Sequence, residues 1–529
     1  MNSSPPGSRR AGILVPLFSI PSTQSWGIGE ITDIAPTARW LESAGQRLLQ
    51  LLPINELPPG ERSPYSALSA MAIDPQFISV ASLEDFDAIG GEARLERDLR
   101  RRLDAVRSAA SVDYDNVRAI KSTALRRCFA QFTNTEWAGG TRRAAAFRSF
   151  MDEQAWWLDD YALFRALKAR HEERAWSEWP ELVRRRDPQA LEAASAELAD
   201  DILYRKYLQW VAGDQWGEAR DAVGAVALFG DLPFMVSGDS ADVWARQDEF
   251  RIDASVGVPP DAFSKTGQDW GLPVYRWEVF VERDFDWLRN RARRNADLYD
   301  GYRVDHLVGF YRTYFRPHDG AAPQFIPADE PSQIALGERV LGVFREPGTE
   351  VIAEDLGVVP DFVRASLARL GVPGYRVFRW EREWHQPDHP FKDPRDYPAV
   401  AVATSGTHDT EPMAIWWQHA PRAEREAVLR IPSIDERITG DERMRALEGP
   451  LTHDCREALL ETLFASGADL LILPIQDVFG WRDRINQPAT VNGSNWTWKL
   501  PWPSDRLPTE PEAMAIATQL REWVERYGR

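Results

Sequence analysis

The feature that most limits the fold is a series of short apolar runs of Val, Ile, Leu and aromatic residues, bounded by Gly, Pro, Asp or Asn. Such runs are typical of buried strands. Eight can be identified, at residues 12–18, 47–53, 225–230, 302–308, 350–355, 374–378, 399–405 and 470–475. Segments with helical patterns, such as 32–44 and 452–466, separate most of them. This alternation predicts an α/β fold, a parallel (β/α)8 TIM barrel, whose active site lies at the carboxyl ends of the strands.

The spacing of these strands is uneven, because residues 54–224 separate the second from the third. That stretch is far too long for a barrel loop, so it predicts an insertion. Within it Trp157, Tyr161 and Phe164 recur at helical spacing, so we expect one or more mainly helical subdomains. The predicted division is strands 1 and 2 in residues 1–53, the insertion in residues 54–224, and strands 3 to 8 in residues 225–529.

A second irregular stretch, residues 248–273, is polar and rich in Pro, Gly and aromatic residues. Pro259 and Pro260 stiffen it, while Gly257 and Gly267 permit hinges. We expect a lid-like loop after strand 3, at the mouth of the barrel. The alternative is a packed surface loop whose aromatic side chains are buried.

Composition excludes several kinds of partner. The 81 acidic and 63 basic residues give a formal net charge of −18, which repels phosphate backbones and anionic lipid heads. We therefore expect no nucleic acid and no membrane as partners. The apolar stretch at residues 11–20 contains Pro16 and lacks a cleavage site, so it is interpreted as the first core strand rather than a signal peptide. Only Cys128 and Cys455 are present, which is typical of a reducing cytoplasm.

Three acidic residues lie on or just beyond three different predicted strands. Asp305 lies on the fourth predicted strand and Glu354 near the end of the fifth, and Asp409 lies just beyond the seventh. Asp409 stands next to His408, on a turn that begins at Gly406. A single acid at a barrel rim is more often a helix cap or the partner of an arginine. Three such acids at three strand ends favour a shared catalytic site.

Side chains alternate between the two faces of a strand, which predicts which neighbours of these acids share their face. Arg303 lies on the same face as Asp305 and can hold it ionised, whereas His306 is predicted to face away from the mouth. Glu354 and Asp355 cannot both face the mouth if the strand is regular. We expect Glu354, which has the longer reach, to enter the site and Asp355 to be structural.

A pair of carboxyl groups is the usual set of catalytic residues for cleaving a glycosidic bond. One acts as the nucleophile and the other as the acid and then the base, and in retaining enzymes the two carboxyl groups lie roughly 5 Å apart. The 22 tryptophans agree with a sugar substrate, because indole faces match the apolar faces of pyranose rings. Most of these tryptophans are expected in the core, with a minority lining a groove.

Motifs along nearly the whole chain resemble those of the 4-α-glucanotransferases, also called amylomaltases or disproportionating enzymes, of glycoside hydrolase family 77. Each motif alone is weak evidence for the resemblance, but so many motifs in the same order are strong evidence for it. Besides the three acidic segments they are Pro21-Ser22, Gly27-Ile28-Gly29, Ser63-Pro64-Tyr65-Ser66, Gly230-Asp231-Leu232-Pro233, Asp239-Ser240-Ala241-Asp242-Val243-Trp244, Gly257-Val258-Pro259-Pro260-Asp261, Gly267-Gln268-Asp269-Trp270-Gly271, Pro474-Ile475-Gln476-Asp477 and Gly493-Ser494-Asn495-Trp496.

The resemblance implies roles for particular residues. Asp305 would be the nucleophile, Glu354 the general acid/base, and Asp409 a third acid that orients sugar hydroxyls and stabilises the transition state. Arg303 and His408 would support the sugar in the subsite of cleavage. Further substrate-binding residues are implied at Ser63, Tyr65, Asp261, Gln268, Trp270 and Asn486.

The resemblance also implies the reaction: a maltooligosaccharide or other α-1,4-glucan serves as donor and a second one as acceptor. No cofactor, no metal and no obligate protein partner are expected. The alternatives are a hydrolase of the α-amylase type on the same scaffold and a non-catalytic glucan-binding barrel. Two departures from the family pattern, Leu272 in place of Asn and Val308 in place of a basic residue, put chain-length preference and acceptor choice in question.

Overall fold

The computed structural model describes residues 9–260 and 267–529. In chain order its strands are β1 (Arg10–Leu14), β2 (Leu48–Gln50), β3 (Ala227–Leu232), β4 (Phe250–Val258), β5 (Gln268–Tyr275), β6 (Gly301–Val304), β7 (Thr313–Pro317), β8 (Gln324–Ile326), β9 (Glu350–Ala353), β10 (Gly374–Val377), β11 (Ala401–Thr404) and β12 (Leu470–Pro474).

Eight of these strands close into a parallel barrel in the order β1-β12-β11-β10-β9-β6-β3-β2. The α/β TIM-barrel prediction is therefore confirmed, and every predicted strand overlaps a barrel strand. The apolar runs form strands because both faces are buried, one inside the barrel and one beneath the helices. In the register of β3, β6 and β9, Asp231 pairs with Arg303 and Val304 pairs with Ala353. The residues that follow these strands therefore meet at one rim.

Helices occupy most of the chain between β2 and β3. Their bounds are Glu84–Ala88, Arg97–Ser108, Tyr114–Phe132, Arg142–Arg170, Glu181–Arg184, Pro188–Glu197 and Ala199–Ala222. One cluster of buried apolar residues joins helix residues such as Val117 and Tyr207 to barrel residues such as Leu49 and Leu228. The subdomain boundaries given above stay a prediction, and the shared core shows that these helices pack directly on the barrel.

The prediction of an irregular loop at residues 248–273 is wrong for the part that the structure describes. There β4 and β5 pair antiparallel and extend through β7 and β8 into a sheet of order β5-β4-β7-β8. The physical reason is that backbone N–H and C=O groups in so long a segment need partners, and pairing with β7 supplies them. Residues 261–266, which include the predicted substrate-binding residue Asp261, lie outside the described residues.

The other α-helices lie between or after the barrel strands in the chain. They are Ile34–Ser43 after β1 and then Ala241–Ala245, Trp277–Glu282, Asp286–Leu298, Val308–Tyr311, Glu330–Arg345, Asp361–Leu370, Met413–His419, Arg422–Leu429, Pro432–Asp435, Gly440–Glu448, His453–Phe464, Ile475–Phe479 and Pro511–Tyr527. Within residues 9–260 and 267–529, no helix has both the length and the apolar character needed to cross a membrane.

Candidate active site

A buried arginine links two acids on neighbouring strands at the rim. Nη1 of Arg303 donates to both carboxylate oxygens of Asp231 at 2.8 Å, and Nη2 lies 2.8 Å from Oδ1 of Asp305. Arg303 is 5 % exposed, so solvent screens these pairs little. Asp305 is therefore held in one orientation beside a positive charge, as the strand alternation predicts. Asp231, at the end of β3, was given no role from the sequence, although its place at a strand end was a signal for one.

Glu354 follows β9 and is half-buried. Its Oε2 accepts a 2.8 Å hydrogen bond from the backbone amide of His306, and its Oε1 accepts one of 3.2 Å from the amide of Leu356. Burial, reinforced by the negative charge of Asp305, raises the pKa of Glu354 to about 7, although Arg303 and the His306 amide act in the opposite direction. A carboxyl group with this pKa can both donate and accept a proton near neutral pH.

The neighbouring acid, Asp355, is structural, as the alternation of side chains predicts. It is 3 % exposed, and its Oδ1 accepts a 2.7 Å hydrogen bond from the amide of Tyr375 on β10. Its carboxylate also packs over Gly374, where a Cβ atom would stand only 2.6 Å from Oδ2. A side chain at position 374 would therefore displace the carboxylate, so the glycine is required by close approach.

Asp409 forms an ion pair with His408, whose Nε2 lies 3.4 Å from Oδ2 of Asp409. Burial by itself would raise the pKa of Asp409, but the charge and hydrogen bond of His408, the amide of Asn486 and the charge of Arg303 together hold it below its usual value. Burial likewise acts to lower the pKa of His408, and Asp409 outweighs it and raises the pKa. Each member of the pair therefore stabilises the charged form of the other.

A chain of hydrogen bonds joins this ion pair to the Arg303 cluster. The hydroxyl of Tyr65 donates to Oδ2 of Asp231 at 2.8 Å and lies 3.0 Å from Nε2 of His408. Burial raises the pKa of Tyr65 well above its usual value, so the hydroxyl keeps its proton and can accept from protonated His408. At the other end, Nδ2 of Asn486 donates to Oδ1 of Asp409 at 2.7 Å. Asp231, Asp305 and Asp409 therefore belong to one connected network.

The network forms one side of an open cavity of about 570 Å³, within the usual range for small-molecule sites of about 300–1,000 Å³. The cavity is lined by the predicted residues Ser63, Tyr65, Gln268, Trp270, Asp305, His408, Asp409 and Asn486, together with Asp269, Pro488, Ala489 and Trp496. Arg303 and Glu354 contact this site through Asp305 and the backbone of His306. Trp496 was missed as a site residue, although it belongs to one of the quoted motifs.

The prediction that His306 faces away from the mouth is wrong. Strand β6 ends at Val304, and His306 adopts a left-handed conformation with φ of 42°, so the alternation rule no longer applies there. Its ring lies edge-on to the cavity-lining Trp270, with centroids 4.7 Å apart. Burial lowers the pKa of His306 to about 4, so its ring is neutral at neutral pH.

Comparison with known proteins agrees with this geometry. Residues 15–505 match the family model described as 4-alpha-glucanotransferase. The 4-alpha-glucanotransferase of Thermus thermophilus is 34% identical over 536 residues, covering 97% of this chain and 99% of its own. That of Chlamydia pneumoniae is 32% identical over 503 residues, covering 93% and 91%. The amylomaltase from Streptococcus agalactiae, solved in complex with acarbose, superposes with a TM-score of 0.81 at 26% identity, covering 98% of this chain and 99% of that chain.

Proposed function

Because the chain belongs to the 4-alpha-glucanotransferase family, whose enzymes act on α-1,4-glucans, we propose that it transfers α-1,4-glucan segments between maltooligosaccharides by a retaining double displacement. The observation that carries this proposal is the coupling of Asp305 to Glu354. The two acids follow adjacent strands, and the charge of Asp305 helps to keep Glu354 protonated.

In the first step, the Asp305 carboxylate attacks the anomeric carbon of the donor. Glu354 gives its proton to the glycosidic oxygen as the C1–O bond breaks, and the released glucan leaves with a new 4-hydroxyl group. The product is a β-linked glucosyl ester on Asp305. Positive charge develops on the sugar ring in the transition state, and the ionised Asp409, held by His408 and Asn486, lies in the cavity to stabilise it.

In the second step, Glu354 takes the proton from the 4-hydroxyl group of an acceptor glucan. The acceptor oxygen bonds to C1, the ester bond to Asp305 breaks, and the α-linkage is restored. The electrostatics favour this reversal of role. Esterification removes the charge of Asp305, and with it one of the causes that raise the pKa of Glu354. The pKa of Glu354 is therefore lower when the intermediate is present. Its carboxylate form is then favoured and can act as the base.

Transfer instead of hydrolysis requires that an acceptor sugar outcompete water. The cavity wall includes the half-buried indole of Trp270, on strand β5, and the largely buried indole of Trp496, which packs against Tyr65 and His408. Gln268 accepts a 3.2 Å hydrogen bond from the Trp270 indole and stands beside it at the wall. We assign acceptor binding to this wall, since flat rings with adjacent polar groups suit pyranose rings.

Both reacting groups are protein side chains, so the proposed reaction uses no cofactor. We place it in the cytoplasm, which fits the two cysteines, Cys128 and Cys455, both buried as free thiols. The decisive experiment is incubation of the protein with maltotriose. Transfer produces a ladder of longer and shorter maltooligosaccharides together with free glucose. Shortening without longer products would support the α-amylase-type hydrolase, and an inert substrate would support the non-catalytic glucan-binding barrel.

A further inference from the structure

The acid of the motif Pro474-Ile475-Gln476-Asp477 has no role in the catalytic steps above. Strand β12 ends at Pro474, and the short helix Ile475–Phe479 that follows places Asp477 at the carboxyl end of the barrel. Asp477 is buried, with 2 % of the residue exposed. A buried carboxylate needs hydrogen-bond donors, and those of Asp477 belong to the segment that carries Asp409.

Asp477 contacts both ends of the loop of residues 405–413. Its Oδ2 accepts a 2.6 Å hydrogen bond from the hydroxyl of Ser405, and its Oδ1 accepts one of 2.6 Å from the backbone amide of Met413. Ser405 directly follows β11, and Met413 is the first residue of the helix Met413–His419. One carboxylate therefore fixes the separation between the start and the end of the loop.

Hydrogen bonds within the loop fix its backbone between these two ends. The hydroxyl of Thr410 accepts from the amide of Thr407 at 2.9 Å and donates to the carbonyl of the same residue at 3.0 Å. A Cβ atom at Gly406 would stand only 2.3 Å from the hydroxyl oxygen of Thr410, so the loop closes tightly over the glycine. Because the loop is closed in this way, a displacement of its ends also displaces Asp409.

The other contacts of the Asp409 side chain do not anchor it to the barrel. Its carboxylate contacts His408 and Asn486, and neither residue lies on a barrel strand. Asp477, in contrast, follows β12, which pairs with both β1 and β11. The hydrogen bonds of Asp477 therefore connect the loop to the barrel itself. A catalytic group is held accurately when its supporting contacts come from such a rigid element.

We propose that Asp477 is a positioning residue for the glucan transfer reaction, and that it acts through the loop of residues 405–413 to keep the Asp409 carboxylate beside the reacting sugar. The role of Asp409 rests on the proposed function, whereas the contacts of Asp477 with the loop do not. Because Asp409 stabilises charge in the transition state, a displaced loop lowers kcat more than it raises KM. A residue that only stabilises the fold changes neither constant in the folded protein.

A double-mutant cycle with Asp409 tests this proposal. The whole chain is incubated with α-maltosyl fluoride, and the release of fluoride is measured. Asp477→Asn keeps the shape of the side chain and removes its charge, so it should lower kcat by about 10- to 100-fold and change KM by less than about 2-fold. In the Asp409→Ala protein, the same substitution should lower kcat by no more than about 2-fold, because the group that Asp477 positions is absent.

Ser405→Ala is a second variant, which removes one donor and leaves the buried acid in place. It should lower kcat by about 3- to 10-fold. The matched control is Ser366→Ala on the helix Asp361–Leu370. Ser366 is equally buried, at 1 % exposed, and its hydroxyl also donates to a carboxylate at 2.6 Å, that of Glu338. Both variants should lose similar stability to urea, but only Ser405→Ala should lose kcat.

A full loss of kcat from Asp477→Asn in the Asp409→Ala protein, or equal kcat values in the two serine variants, would overturn the positioning role. The maltotriose ladder of the unmodified protein is read separately. A hydrolase also releases fluoride, so a missing ladder rejects transfer while the cycle still measures the link between Asp477 and Asp409. A ladder without coupling in the cycle rejects the role of Asp477 alone, and an absence of fluoride release rejects both proposals.

Discussion

The Oε2 atom of Glu354 accepts a hydrogen bond from the backbone amide of His306, the residue that follows Asp305. The proposed acid/base is therefore tied to the backbone next to the proposed nucleophile. Pairing of β6 with β9 aligns the same two segments, and Leu307 donates from its amide to the Glu354 carbonyl at 3.2 Å. The relative position of the two acids is therefore set largely by contacts that involve the backbone of these two segments.

Replacing Asp305 by Asn should abolish transfer, because the amide cannot form the glucosyl ester. We expect maltotriose disproportionation to fall by on the order of 10⁴-fold or more. Trapping the intermediate in the unmodified protein with a fluorinated glucosyl donor, followed by mass spectrometry, should label the peptide that contains Asp305. A label on the peptide containing Asp409 would reverse the assigned roles.

The pH dependence of kcat/KM should reflect the titration of Glu354. The first step needs protonated Glu354, whose pKa burial raises to about 7, so kcat/KM should fall as the pH rises through about 7. Glu354→Gln should remove this alkaline limb. The same variant should still be glycosylated by an α-maltosyl fluoride donor, whose leaving group needs no proton. An unchanged limb in the residual activity of the Gln variant would assign the titration to another group.

Asn486 should matter through its contact with Asp409. A hydrogen bond to a charged group contributes about 1.5–3 kcal/mol, so Asn486→Ala should lower kcat/KM by roughly 10- to 100-fold. The matched control is Gln487→Ala, which truncates the next side chain, an exposed one. Equal losses in the two variants would mean that the segment is disturbed as a whole and that the contact with Asp409 is not the cause.

Asp355 should affect stability and not chemistry, in contrast to its neighbour Glu354. Asp355→Ala leaves the buried Tyr375 amide without its acceptor, which should lower the free energy of unfolding by about 1–3 kcal/mol. Urea unfolding measures this change, and the specific activity of the folded protein should stay near that of the parent. A loss of activity at full stability would place Asp355 in the reaction.

Much of this site was predictable from local sequence patterns. The apolar runs located all eight barrel strands, and the acidic residues on or just beyond three of these runs are Asp305, Glu354 and Asp409. Side-chain alternation correctly predicted that Arg303 lies beside Asp305 and that Asp355 points away from the site. The rule holds for Arg303 and Asp355 because they lie on or beside regular strands. The same rule failed for His306, which lies past the end of its strand.

The sequence by itself determined the elements and the chemical groups, because burial, periodicity and residue type act over a few neighbouring positions. Tertiary structure alone decided which distant segments meet. It paired Asp231 with Arg303, joined Tyr65 to His408, and paired β4 with both β5 and β7. It also brought Asp477 to both ends of the loop that carries Asp409. Such contacts depend on strand register and barrel closure. Both follow from packing across the whole chain and cannot be predicted from any single segment of the sequence.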